Sequence, residues 1–84
     1  MARQGARVEV PAADEEGFIG DRIAVHVGAR IRERRIMVGM SAAQLAARIG
    51  VTQQQQHKYE RGLNQISAGR LYEVASVLGV SPAH

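Results

Sequence analysis

The sequence contains no cysteine. That excludes a disulfide framework and any thiolate zinc site, and it suits a reducing, cytoplasmic setting. No apolar run approaches the roughly 18 residues that a membrane span needs. The opening MARQGARVEVPAADEE lacks the apolar stretch of a signal peptide. His26 and His84 have no partner at metal-ligand spacing, so no metal is expected. There is no glycine-rich phosphate loop of nucleotide-binding type, and no cofactor is expected. Gly39-Met40-Ser41-Ala42-Ala43 faintly matches a nucleophile elbow, but that motif needs a preceding strand and a large α/β sheet, which 84 residues cannot supply. The expectation is a protein that is not an enzyme.

What is present is one small domain's worth of chain, with a core of modest size. The formal charge of +3 hides an asymmetry. Residues 1–20 carry Arg3 and Arg7 against Glu9, Asp14, Glu15 and Glu16, a net −2. Residues 21–84 carry nine Lys or Arg against Asp21, Glu33, Glu60 and Glu73, a net +5. A basic domain behind an acidic leader suits a polyanionic partner.

Residues 1–20 show no sustained helical period, and Pro11 stops a brief alternation at Arg7 to Val10. They read as a mobile arm. Asp21 is suited to N-cap a first helix, with Ile23, Val27 and Ile31 four apart and Ala24, Val38 and Ile36 extending the stripe. Gly28 falls mid-helix, so the helix either starts late, near Val27, or tolerates a local weak point of about 1 kcal/mol, and Gly39 is its stop. Ser41 and Gln44 form a Ser-x-x-Gln capping box for a second helix, with Leu45, Ala46 and Ile49 facing inward and Gly50 supplying a left-handed turn. Thr52 caps a third helix, again with Gln55 three residues on. There Tyr59 faces the core and Gly62 ends the run. Ser67 opens a fourth, in which Leu71, Val74, Ala75 and Leu78 recur at helical spacing before Gly79. Ser81-Pro82 has the form of a fifth helix start, cut short two residues later.

Residues 41–62, SAAQLAARIGVTQQQQHKYERG, describe two short helices about a tight glycine turn, the second with a polar, partly cationic outer face. That is a helix-turn-helix, whose second helix enters the DNA major groove. Its outer positions are Gln53, Gln54, His57, Lys58 and Arg61. Of these His57 reads as solvated surface. Arg30 to Arg35 read as a largely solvated helix end, with Arg35 the exception.

With GARIRERR…GMS, LAARIGVT, KYERG and SAGRLYEVASVLGVS in order, the stretch from about Val27 to Pro82 resembles the phage-repressor-like (lambda repressor, Cro, XRE) helix-turn-helix domain. The resemblance implies an all-α, compact four-to-five-helix repressor-like fold over residues 21–84. It implies a transcriptional regulator that binds double-stranded DNA as a homodimer on a pseudo-palindromic operator. Gln53, Gln54 and Lys58 match positions that read base edges, and Thr52 and Arg61 match positions that contact phosphate. Arg35 and Glu60 match an ion pair between the first and third helices. Two positions depart from the pattern. Ala42 stands where the family carries a phosphate-binding Gln. Gln56 stands where it carries Ile or Val, and an amide buried there without partners would cost about 1–3 kcal/mol.

Two alternatives share this fold. In one the domain is a protein-interaction module, such as the antitoxin of a toxin–antitoxin pair, with a protein partner on the 1–20 arm. In the other it is a shortened, weakly stable product.

Overall fold

The computed structural model describes residues 13–80, with side chains from residue 19 onward. Four helices follow one another: α1 (Ala13–Met37), α2 (Ala42–Ile49), α3 (Gln53–Glu60) and α4 (Ala68–Leu78). No strand occurs among the described residues. α2 packs on α3 and α4, and α1 crosses behind α3 and α4. The expected all-α architecture is what the chain adopts.

The ends of the helices follow local chemistry. The Ser41 hydroxyl accepts from the Gln44 amide at 3.0 Å while the Gln44 side chain takes the Ser41 amide at 2.7 Å, a complete capping box. Thr52 and Ser67 cap α3 and α4 through the hydroxyl alone, accepting from the Gln55 and Arg70 amides without the return bond. Gly39, Gly50, Gly62 and Gly79 follow the four helices with φ between 73° and 77°. Each starts a turn in which the next residue's amide reaches back over the last helical turn, as Leu63 does to the Lys58 carbonyl at 2.9 Å.

Ile31, Leu45, Ile49, Val74 and Leu78 form the core, with Val27, Met40, Val51, Ile66 and Val77 packed against it. Burying each of the large members stabilises by about 1.5–3 kcal/mol. Three arginines bracket this small core by reaching helix-end carbonyls or their neighbours. Arg34 Nε donates to the Leu78 carbonyl at 3.3 Å, Arg70 Nη1 donates to the Ile49 carbonyl, and Arg35 Nη1 donates to the Met40 carbonyl at 2.8 Å. So Arg34 joins Arg35 as an exception to the solvated helix end that the sequence suggests.

The first helix departs from expectation. It begins at Ala13, so Asp21 lies within it and is not its N-cap. The eight residues 13–20, read as part of an arm, are helical; residues 1–12 of that arm, and the Ser81-Pro82 helix start, lie outside the described residues. The acidic cluster at Asp14 to Glu16 falls in the first turn, where anions suit the helix dipole. Ile23 is 57% exposed, and Ile36 and Val38 also face outward, so the inward stripe is Ala24, Val27, Gly28 and Ile31.

Gly28 is no weak point but a contact. A Cβ there would stand 2.1 Å from the Tyr59 carbonyl oxygen and 2.8 Å from that of Glu60. Gly62, at φ +73°, lies against Val25 so closely that a Cβ would come within 2.5 Å of the Val25 Cα. Two glycines thus let α1 meet the end of α3 backbone to backbone.

Candidate nucleic-acid interface

α3 is eight residues long, and its sequence QQQQHKYE has no apolar stripe to seat it. Its seating is polar and glycine-mediated instead. Gln56 is fully buried, Glu60 nearly so, and Tyr59 and Gln55 half-buried. Tyr59, expected to face the core, lies partly buried at its edge.

Arg35 of α1 grips Glu60 of α3 through two bonds, Nε to Oε2 at 2.7 Å and Nη2 to Oε1 at 2.9 Å. The side chains are 12% and 3% exposed, so the pair is largely dry. Because Arg35 also holds the Met40 carbonyl, one guanidinium ties together α1, the turn into α2, and α3. Burial works to raise the Glu60 pKa. The hydrogen bonds from Arg35 and Gln56, with the charges of Arg35 and His57, outweigh it and leave the carboxyl below its ordinary 4.5. The Glu60 hydrogen bond raises Arg35 further, against desolvation.

Gln56 has a partner the sequence did not suggest. Its Nε2 donates to Glu60 Oε2 at 2.8 Å, one turn along the helix. The buried amide is therefore half satisfied: Gln56 Oε1 alone has no hydrogen-bond partner. Leaving that acceptor dry costs about 1–3 kcal/mol. Ala42, the other departure, is 8% exposed at the start of α2 and offers no polar group.

With α3 so held, Thr52, Gln53, Gln54, His57, Lys58 and Arg61 are all exposed. Gln53, Gln54, His57 and Lys58 lie at i, i+1, i+4 and i+5, which on a helix is one continuous face. That face holds amides that donate and accept, plus a cation, the set that hydrogen-bonds base edges. Thr52 and Arg61 sit at its two ends, and the Thr52 hydroxyl is also the α3 cap. The expected site residues thus fall on one surface, and the Arg35–Glu60 pair lies behind it.

One coupling was missed. Gln55 does not complete a second capping box; its Nε2 donates to Asn64 Oδ1 at 3.0 Å. Asn64 in turn donates to the Leu63 carbonyl at 3.0 Å, so α3 is tied to the loop that follows it. An amide nine residues along, past a left-handed glycine, could have been suspected only once Gly62 had reversed the chain.

A sequence profile of the helix-turn-helix family matches residues 31–84. The chain belongs to the helix-turn-helix family. Its homologues are described as HTH-type transcriptional regulators. One from Sinorhizobium medicae is 48% identical over 58 residues, 69% of this chain and 42% of that protein. A transcriptional regulator in the ATPase CF(0) region of Rhodospirillum rubrum is 52% identical over 58 residues, 69% of this chain and 54% of that protein. This helix-turn-helix chain therefore spans about half the length of the curated relatives it matches. Among solved structures it is similar to the restriction-modification controller protein C.AhdI from Aeromonas hydrophila, with TM-score 0.70, 28% identity, and 75% and 91% of the two chains covered. It is also similar to SinR, a master regulator for biofilm formation solved in complex with DNA, with TM-score 0.61, 36% identity, and 66% and 89% covered. Among the described residues no helix is long and apolar enough to cross a membrane.

Proposed function

We propose that this domain is the DNA-reading part of a transcriptional regulator, and that it acts as a homodimer with one α3 in each of two adjacent major grooves. The observation that carries the reading is the outward amide-and-cation face of α3, held on the scaffold by a dry bidentate ion pair and by glycine contacts. A helix free to roll would blur base readout, and this one is fixed at its C-terminal end by the Arg35–Glu60 pair and by the contacts at Gly28 and Gly62. Gln53, Gln54 and Lys58 read base edges: Gln bonds adenine N6 and N7, and Lys bonds guanine O6 or N7. Thr52 and Arg61 hold phosphate and set the register. The DNA-bound state of SinR and the regulator names of the relatives support the same class.

Selection of the purified domain on a random-sequence duplex pool tests this. The expected result is a two-fold symmetric site with half-sites about one turn apart, ~34–36 Å. Gln54→Ala and Lys58→Ala should each weaken the selected site by about 1–3 kcal/mol and relax its sequence. Arg61→Ala should weaken all sequences alike and lower the salt slope by about one. Binding that is indifferent to salt and to both base-reading substitutions would remove the proposal.

A further inference from the structure

Gln55 belongs neither to the reading face of α3 nor to the core. On the helix it lies about 60° round from Lys58, on the side away from His57, with Tyr59 about 40° further on. It therefore marks the edge of the outward face, half-buried beside the exposed Lys58. A helix with its side chains is about 10–12 Å across, and the major groove is about 12 Å wide. Whatever borders the reading face then meets a wall of phosphates. What borders it at Gln55 is the loop from Leu63 to Ile66, through the bond to Asn64.

That loop is fastened on two sides. Toward α3, Gln55 Nε2 donates to Asn64 Oδ1 at 3.0 Å, and the Leu63 amide donates to the Lys58 carbonyl at 2.9 Å. Toward α1, Gln65 lies over Gly20, where a Cβ would stand 2.5 Å from the Gln65 Nε2, and Ile66 packs against the core. Leu63, Asn64 and Gln65 are nonetheless exposed. Gly62 to Ser67 include no charged residue, so this surface offers amides alone. Asn64 Nδ2 gives one hydrogen to the Leu63 carbonyl and keeps a second unused. The main-chain amides of Asn64 and Gln65 make no hydrogen bond among the described residues. Unpaired N–H groups on a loop held in place suit a phosphate oxygen.

We propose that Gln55 is a positioning residue for DNA binding. It touches no DNA itself. It holds Asn64 at the Lys58 edge of α3, so that the Asn64 side chain and the neighbouring main-chain amides meet a phosphate on the groove wall beside the base that Lys58 reads. Without that bond the loop is ordered only on binding, and the ordering costs affinity. The inference rests on the DNA reading above and adds an uncharged contact to it.

Binding of the full chain to its selected duplex, followed by fluorescence anisotropy over a salt series, tests this together with ethylation interference on the same duplex. Gln55→Ala and Asn64→Ala should each weaken binding about 3- to 10-fold, with the salt slope unchanged because no cation is lost. The double variant should be no weaker than the single ones, and the exchanged pair, Gln55→Asn with Asn64→Gln, should recover most of the affinity. Melting temperatures should stay within about 4 °C of the parent, as for other surface substitutions. Ethylating one phosphate beside the base pair whose recognition Lys58→Ala relaxes should hinder the parent and not Gln55→Ala. Unchanged affinity in both single variants, or losses that add in the double, overturn the positioning role and leave the DNA function standing. So does a loss that comes with a lower melting temperature and the parent's interference pattern, because the bond then only stabilises the fold. A parent chain that selects no duplex removes the DNA function, and this role with it.

Discussion

Replacing the buried amide of Gln56 by a thioether should stabilise this protein. Gln56→Met keeps the length and flexibility of the side chain at a fully buried position. It removes the unpartnered Oε1, worth about 1–3 kcal/mol, and adds burial of an apolar side chain worth about 1.5–3 kcal/mol. Against this stands the loss of the 2.8 Å bond to Glu60, about 1.5–3 kcal/mol for a bond to a charged group. Glu60 keeps both bonds from Arg35, so no charge is stranded. The balance is a gain of about 1–2 kcal/mol. Urea unfolding at neutral pH should show the midpoint rising at constant slope, and heating should show a rise of roughly 4–8 °C per kcal/mol. The companion Gln56→Glu sets a carboxylate beside Glu60 with one arginine between them. It should be strongly destabilised at neutral pH and recover as the medium is acidified. A Gln56→Met variant less stable than the parent would refute the reasoning. It would mean that the amide's bond to Glu60 outweighs its orphaned oxygen, and that Gln56 belongs to the scaffold as an asset.

Three other perturbations probe the same frame. Arg35→Ala leaves the buried Glu60 carboxylate without its cation and frees the Met40 carbonyl; a loss of about 3–5 kcal/mol in chemical denaturation is expected. Glu60 has a folded pKa below 4.5, so its stabilisation is complete above that value and fades as pH falls through the folded one. The unfolding midpoint should therefore drop on acidification, and Glu60→Gln should flatten that dependence. Gly28→Ala drives a methyl into the Tyr59 carbonyl, 2.1 Å away, so α1 and α3 must separate; a fall of several kcal/mol on the scale of severe overpacking is expected, with a changed DNA affinity as well.

Much of this was legible from residues whose meaning is local. Ser41, Thr52 and Ser67 announce helix starts by side-chain chemistry that needs no tertiary partner, and Gly50, Gly62 and Gly79 announce ends because only glycine adopts the left-handed turn easily. The outward set Gln53, Gln54 and Lys58 followed from period alone, while the Arg35–Glu60 pair was legible only through resemblance to a family. What escaped depends on partners distant in sequence. Gly28 resembles a helix weak point until Tyr59 is laid against it, and Gln56 resembles an error until Glu60 is seen one turn below. The start of α1 was missed because Gly17 and Gly20 suggest loop, although the acidic turn between Ala13 and Gly17 suits a helix start.

The meeting of α1 and α3 through Gly28 and Gly62 separates two jobs that side-chain packing would have joined. Where helices pack through side chains, every substitution on the buried face also changes the angle between them. Here the approach is main chain against main chain, with the buried Arg35–Glu60 pair beside it. The four outward positions of α3 can then vary with almost no effect on how the helix is presented. On the function proposed above, operator preference is then a property of a handful of surface residues on a fixed mount, and exchange of Gln53, Gln54 and Lys58 alone should install new specificities.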